Sequence, residues 1–294
     1  MRQSDFWSKY LGFSGWETIK TKSGVKVRFL KLLGRKLVKI QKCPPLNKTQ
    51  LQEIEDLCVK NKALFIKIEP GVGQDEKLLL EQEYKESDFP LSPTISLVID
   101  LQKPEKELWE DLSKSAKYSV RRAQREGAKV EHFVNPDNAM LEGIFPLLQE
   151  TGKRKKFYIQ SFKDLVTKRS IFGDKSYLIK VLDKSGDTLG VQICLGMEET
   201  VTFTHGGSVG RGRKTKAGYE LMWQSILYFK KLGYKWFDLE GVDDDRFPRF
   251  TRDWGGFSHF KEKFGGFRVE FPPPYIKYLS PVLKFLSKFN ELPL

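Results

Sequence analysis

Two carboxylates stand where a sequence of this kind can place chemistry. Glu69 ends the apolar stretch ALFIKIEP, and Asp238 lies near the end of YKWFDLEG, before Gly241. Sites in α/β layers sit at strand ends, and an acid there can accept a proton. His205, followed by Gly206 and Gly207, ends a third apolar stretch and is a candidate substrate contact, with His259 as its competitor. Two segments are strongly basic: 114–129 carries six cations and one acid, and 151–169 carries seven cations and one acid. Such segments either form solvated faces or contact phosphates, where each cation displaces condensed counterions. Cys43, Cys58 and Cys194 lack any CxxC spacing, and the three histidines lack zinc-type spacing, so no metal and no cofactor are expected.

The elements that position these residues follow from periodicity. In 219–232 apolar residues recur at helical spacing around much of the circumference, so this helix is expected to be largely buried and stopped by Gly233. YKWFDLEG then reads as a strand, and FKEKFGGF as a basic-aromatic segment closed by two glycines. SYLIKVLDKSGDTLGVQICLGMEETVTFTHGGS gives a meander with strands 176–182, 188–196 and 200–205. Nearer the start, VKVRFLKLLGRKLVKIQK reads as a hairpin turning near Gly34, its Lys and Arg residues on a solvated face. A helix follows, capped by Asn47 or Thr49 with Leu51, Ile54, Leu57 and Cys58 inward. Residues 75–93 read as a connector, TISLVIDL as a strand, and 105–126 as one helix closed by Gly127. Within it Leu108, Leu112, Ala116, Val120 and Ala123 form an apolar row roughly opposite Lys114, Lys117, Arg121 and Arg125. Helices are expected around 144–151 and over SFKDLVTKRSI. The tail, with apolar residues at 276, 279, 282, 283, 286 and 289 in a helical row after a proline stop, either packs back on the first domain or lies on an acidic membrane surface.

With 294 residues, two domains are the better expectation, with aromatics at 13% and apolar residues at 39% excluding a disordered chain. A net charge of +13 implies an anionic partner: nucleic acid, a phosphorylated small molecule or an anionic membrane. No run of about 18 apolar residues and no signal-peptide core is present, which points to a cytoplasmic protein.

Several blocks resemble the Fem family (FemABX), aminoacyltransferases that build peptidoglycan cross-bridges. SKSAKYSVRRAQREGAKVE, preceded by TISLVIDL, is similar to one family block. Glu150, Thr151, Arg154 and Phe157 match a second, and the helix ending KKLGYKWFDLEG followed by FKEKFGG matches a third. The resemblance runs from Trp7 to the final helix. It implies an α/β (α+β) fold of two GNAT-like acyltransferase domains, each a mixed central sheet flanked by helices, with a cleft between them. The domains are expected at 1–93 plus 272–294 and at 94–271.

By this resemblance the chain is an arm-less aminoacyltransferase. It would transfer an amino acid from aminoacyl-tRNA to the stem-peptide side-chain amine of UDP-MurNAc-pentapeptide or lipid II, working peripherally on the inner membrane face where the acceptor is lipid-linked. Lys261 is the matched catalytic cation, a stabiliser of the tetrahedral oxyanion, with Phe260 as its positioning neighbour. Arg154, with Lys153 or Lys156, would hold substrate phosphates through a planar guanidinium fork. Thr151, Tyr158 and His205 would complete the substrate site. Lys9 is the cation nearest the family's first-domain lysine, where this chain has Leu11. Lys117, Arg121, Arg122 and Arg125 would contact the tRNA. Two other classes stay open: a coenzyme A-dependent N-acyltransferase, against which the degenerate loop Lys214–Gly218 counts, and a non-catalytic RNA-binding protein.

Overall fold

The structure, a computed structural model, describes residues 1–155 and 159–289. The chain opens with α1 (Asp5–Phe13), β1 (Trp16–Lys20), β2 (Lys26–Leu32), β3 (Arg35–Cys43), α2 (Lys48–Lys60), β4 (Ala63–Pro70), α3 (Glu76–Glu81) and β5 (Lys85–Glu86). It continues through β6 (Ile95–Asp100), α4 (Glu105–Asp111), α5 (Lys114–Arg125), β7 (Lys129–Val134), α6 (Asn138–Lys155), α7 (Phe162–Phe172), β8 (Ser176–Leu182), β9 (Thr188–Met197) and β10 (Thr200–Ser208). Then come α8 (Gly210–Lys214), α9 (Ala217–Lys231), β11 (Trp236–Gly241), α10 (Gly255–Glu262), β12 (Phe267–Glu270), β13 (Tyr275–Tyr278) and α11 (Pro281–Leu286). Among the described residues, no helix is long and apolar enough to cross a membrane.

The chain divides into two compact units. The first is Met1–Ile95, Asp244–Phe250 and Val269–Leu294; the second is Ser96–Asp243 and Thr251–Arg268. The expected boundaries did not give 244–250 to the first unit. Asp244 explains it: its carboxylate accepts from Thr94 Oγ1 at 2.6 Å and from Arg246, whose guanidinium also reaches the Phe271 carbonyl.

In the first unit a six-stranded sheet runs β1-β2-β3-β4-β13-β5, with β3 and β4 parallel and the other pairs antiparallel. One face carries Val27, Phe29, Val38, Ile40, Ile66 and Ile68 against Leu51, Ile54 and Cys58 of α2. Asn47 caps that helix within a capping box closed by Gln50. The 75–93 stretch is not a plain connector, because α3 starts on an Asp75 cap and β5 adds an edge strand to β13. Nor is the second sheet face simply solvated. Lys67 of β4 is buried where it donates to Ser87 Oγ at 3.1 Å. Separately, Arg28 is 0% exposed because the N-terminal segment crosses β2 and β3. There Gln3 donates to the Gln41 carbonyl at 3.0 Å, and Arg28 donates to the Arg2 carbonyl.

In the second unit a seven-stranded sheet runs β12-β6-β11-β10-β9-β8-β7. The expected 105–126 helix is two: Leu112 takes an extended backbone, and Ser113 caps α5 by accepting from Ala116 N. The break costs no core contact, since Leu108, Leu112, Ala116, Val120 and Ala123 are all buried. α9 packs against α5 and the sheet, burying Leu221, Met222, Trp223, Ile226 and Phe229. Strands β10 and β11 are parallel neighbours from Thr200↔Trp236 to Thr202↔Asp238 only. Beyond that β10 stays with β9, while β11 bulges between Asp238 and Gly241 on its β6 side, so the two strands part.

Candidate active site in the second unit

The parting of β10 and β11 leaves their ends with unpaired edges, and α10 fills that mouth. Lys261, one residue from its end, is 7% exposed and donates to the Gly241 carbonyl at 2.7 Å. Its ammonium lies 4.9 Å from the Phe257 ring and 5.9 Å from the Phe203 ring. Burial lowers its pKa to about 8, and the negative charges of Glu240 and Asp238 oppose that fall. The bulge makes the arrangement: Glu240 sits at φ +59°, in the left-handed region, and its N–H donates to Asp238 Oδ1 at 2.7 Å. Strained backbone of this kind persists only where surrounding contacts over-determine it, and it gathers at functional sites.

α10 is held from both ends. Ser258 accepts from Asp243 N and donates to the Trp254 carbonyl. Past its C-terminus Gly266 has φ +87°, and a Cβ there would come 2.6 Å from the Val98 carbonyl oxygen. The paired glycines of FKEKFGG thus let the chain pass directly against β6.

A basic rim surrounds the end of β10. Thr151 is buried on α6 and accepts from Ser208 N at 3.3 Å, and Gly207 packs so closely that a Cβ would come 2.9 Å from Thr151 Oγ1. Arg213 of α8 donates to the Ser208 carbonyl at 2.6 Å. Arg154 is exposed near it; burial, then the repulsion of Arg213, lower its pKa, with Glu150 opposing. Lys155 approaches Gly256 at the start of α10. Sequence reasoning missed Arg213 and Lys155; their common signal was the basic run on either side of the meander. Tyr158, like Lys156 and Phe157, lies outside the described residues.

The other expected residues are placed as follows. Phe260 joins Tyr219 (5.1 Å) and Phe264 (5.2 Å) in an aromatic cluster that seats α10 on the start of α9. His205 follows a β-bulge between Phe203 and His205 and lines a small enclosed cavity with Leu165, Lys168, Arg169 and Thr204. Burial and nearby Lys168 push its pKa down to about 3, against the pull of Asp164, so the ring is neutral. Along α5, Arg122 pairs with Glu126 at 2.7 Å, Lys117 donates to the Glu110 carbonyl, and Arg121 lies over the Trp109 ring. Arg125 is exposed.

Glu69 and Lys9 belong to the first unit. Glu69 is buried and accepts from Leu91 N (2.6 Å), Ser92 N (2.8 Å), Ser92 Oγ (2.7 Å) and Gln41 Nε2 (2.9 Å). It clamps the segment leading to β6. Lys9 is exposed on α1. The same unit holds a cationic cluster that alternation alone did not announce. Arg28 Nε and Nη1 meet no acceptor among the described residues, and burial followed by the charge of Arg2 lowers its pKa to about 10. Its cross-strand partner Lys39 stacks on Trp16 at 3.9 Å, its pKa lowered to about 8 by burial and then by Arg28.

Among the described residues, no group of three His, Cys, Asp or Glu lies close enough to hold a metal ion. All three cysteines are buried and free, and burial raises the Cys43 thiol to about 12.

Two mixed sheets flanked by helices, one of them parted between its parallel strands, define a tandem GNAT-type fold. Solved structures agree. FemX superposes with a TM-score of 0.79 at 16% identity, over 97% of this chain and 94% of that one. L-PGS from Bacillus licheniformis gives 0.60 at 14%, over 95% and 88%. A tandem GNAT protein from the clavulanic acid biosynthesis pathway gives 0.54 at 9%, over 87% and 79%. The fold is therefore Fem-like. No sequence-family profile matches the chain, and no curated protein matches its sequence.

Proposed function

We propose that the chain is a tRNA-dependent aminoacyltransferase that adds an amino acid to the stem-peptide side-chain amine of a peptidoglycan precursor, UDP-MurNAc-pentapeptide or lipid II, in the cytoplasm. The observation that carries this reading is Lys261, a desolvated cation at the mouth between β10 and β11. In aminolysis of an ester the neutral amine attacks the carbonyl carbon, and the carbonyl oxygen becomes an oxyanion. A fixed ammonium in a dry site stabilises that charge far more than water does. The C–O bond to the ribose then breaks, and the ribose oxygen leaves with the proton lost by the amine. Of Glu240 and Asp238, the two carboxylates whose charges act on Lys261, Asp238 is the one we assign to relay this proton. Glu69, with four donors already on its two oxygens, is not assigned that role.

Arg154 and Arg213, close enough to repel, suit a substrate phosphate. Thr151 supports them by fixing the end of β10. The stripe Lys117, Arg121, Arg122 and Arg125 suits a polyanionic donor. A coenzyme A donor fits less well. Its pyrophosphate needs free amides before a helix, whereas here Thr215 N and Lys216 N donate back to the Arg211 and Arg213 carbonyls of α8. The experiment is a mass-spectrometric transfer assay with purified protein, either acceptor and a pool of charged tRNAs. A mass gain of one aminoacyl residue is expected. No gain on either acceptor, with acetyl transfer from acetyl-CoA instead, would overturn the reading.

A further inference from the structure

One end of the first unit carries large apolar side chains that no packing explains. Leu33, at the tip of the β2–β3 hairpin, is 97% exposed, and Leu32 beside it is also exposed. Leu33 has φ +47°, a backbone that favours Asn or Gly in a two-residue hairpin turn. Neither burial nor backbone preference accounts for a leucine there. α11 abuts the same end of the sheet. Leu279 N and Ser280 N both donate to the Leu64 carbonyl, and Leu283 packs on the cluster of Phe65, Ile276 and Tyr278 with Leu37 of β3, three residues past Gly34 of the hairpin turn. That contact leaves the other apolar residues of α11 and of the turn after it facing outward: Phe285 is 60% exposed and Phe289 68%, their rings 5.1 Å apart, with Val282 and Leu286 exposed beside them. Phe13, at the end of α1, is exposed just before Trp16, whose strand partner is Leu30.

Charge gathers around these residues with one sign. The stretches 13–17, 30–37, 59–64 and 278–289 hold a single acid, Glu17, which pairs with Lys36. Against it stand Lys31, Arg35, Lys60, Lys62, Lys284 and Lys288, all exposed. A nucleic acid would use the cations and leave the leucines and phenylalanines in water. A bilayer with anionic headgroups matches both layers, apolar tips below and lysines at headgroup level.

We propose that this end of the first unit, the Leu32–Leu33 hairpin tip with the outer face of α11, docks on an anionic lipid surface. It presents the protein to the membrane independently of the chemistry at Lys261. The test is sedimentation of the full chain with vesicles of phosphatidylcholine alone or with about one third phosphatidylglycerol. Binding is expected to the anionic vesicles and to weaken with salt. Lys284→Gln and Lys288→Gln should each lower affinity about fivefold. Phe285→Ser with Phe289→Ser should lower it at least about tenfold. Leu33→Asn should also lower vesicle affinity, with melting temperature unchanged or raised and transfer to a soluble acceptor unchanged, so that docking and chemistry are read separately. Equal binding to neutral vesicles, or no binding to either, would overturn the proposal. So would a dimer in light scattering that the Phe285/Phe289 pair abolishes without vesicle binding, which would assign the face to a second copy.

Discussion

Each unit buries more than one cation, and Arg28 and Lys261 are buried differently. Arg28 in the first unit is wholly enclosed, with Nε and Nη1 meeting no acceptor among the described residues. Lys261 in the second donates to the Gly241 carbonyl and feels Glu240 and Asp238. An arginine cannot shed its proton near neutrality, so enclosing it is a fixed cost to the fold. A lysine brought to a pKa of about 8 is poised between charged and neutral forms at working pH. Burial alone therefore does not mark a catalytic group. What separates Lys261 is a titratable cation, an oriented acceptor and a strained strand end in one place.

The largest effect should come from Lys261→Met. Removing a preorganised donor to an oxyanion costs about 10²–10³ in turnover, read as kcat in the transfer assay. Stability should move the other way. The folded pKa lies below the unfolded value, so the folded state binds fewer protons between about pH 8 and 10.5. The charge therefore destabilises wild type by roughly 3 kcal/mol below pH 8, and that penalty fades as pH rises toward 10.5. Losing the bond to Gly241 offsets part of the gain, leaving Lys261→Met about 1 kcal/mol more stable at pH 7. Denaturant melts at pH 7 and pH 10 measure it. Turnover in wild type should also fall above about pH 8 as the ammonium deprotonates. Unchanged kcat in the methionine variant would erase the distinction between the two cations.

Glu69→Gln comes next, and it separates an acid that clamps from an acid that reacts. The amide leaves one of the donors from Leu91, Ser92 and Gln41 facing another donor, at a cost of about 3 kcal/mol. The protein should melt earlier, while kcat per folded molecule stays near wild type. A kcat loss without a stability loss would return Glu69 to the chemistry.

What could be read in advance tracks which signals are local. The meander, the buried helix α9 and the Asn47 cap follow from alternation, 3.6-residue spacing and side-chain capping, and the structure has them. The break at Leu112 was written in Ser113, a good cap, but the apolar row ran through it unbroken and concealed it. Strands β1, β7 and β13 were missed because they are short and of mixed polarity, and pairing rather than propensity makes them; β13 was read as the start of the tail's helical row, which begins only at Pro281. The interior of Arg28 was illegible because alternating cations on a strand look solvated until residues 2–3 cross them. Likewise the placement of His205 depends on a bulge, which no sequence pattern announced. Lys261 stood out only through the resemblance; its burial is a property of the assembled mouth.

Arg28→Met sharpens the comparison from the other side. Replacing an enclosed, underpartnered guanidinium by an apolar chain of similar reach should raise stability by about 2 kcal/mol. Guanidinium chloride would screen the effect, so urea melts are the measure. A loss of stability would mean that the charge has an anionic partner when folded, and Arg28 would then resemble Lys261 more than its surroundings suggest.

The smallest effects belong to cations that are not buried. Arg121 and Arg125 lie exposed on α5, one over Trp109, so removing either charge should leave the fold within about 0.5 kcal/mol of wild type. Their contribution should appear only against a polyanion. Arg121→Gln with Arg125→Gln should weaken binding of uncharged tRNA, measured by filter retention, and reduce the slope of log affinity against log salt by about 2 if each meets one phosphate. Arg122, paired with Glu126, should change that slope less, because freeing its guanidinium means breaking a helix ion pair first. A slope that ignores all three would take the donor away from α5 and leave the rim of Arg154 and Arg213 to hold it.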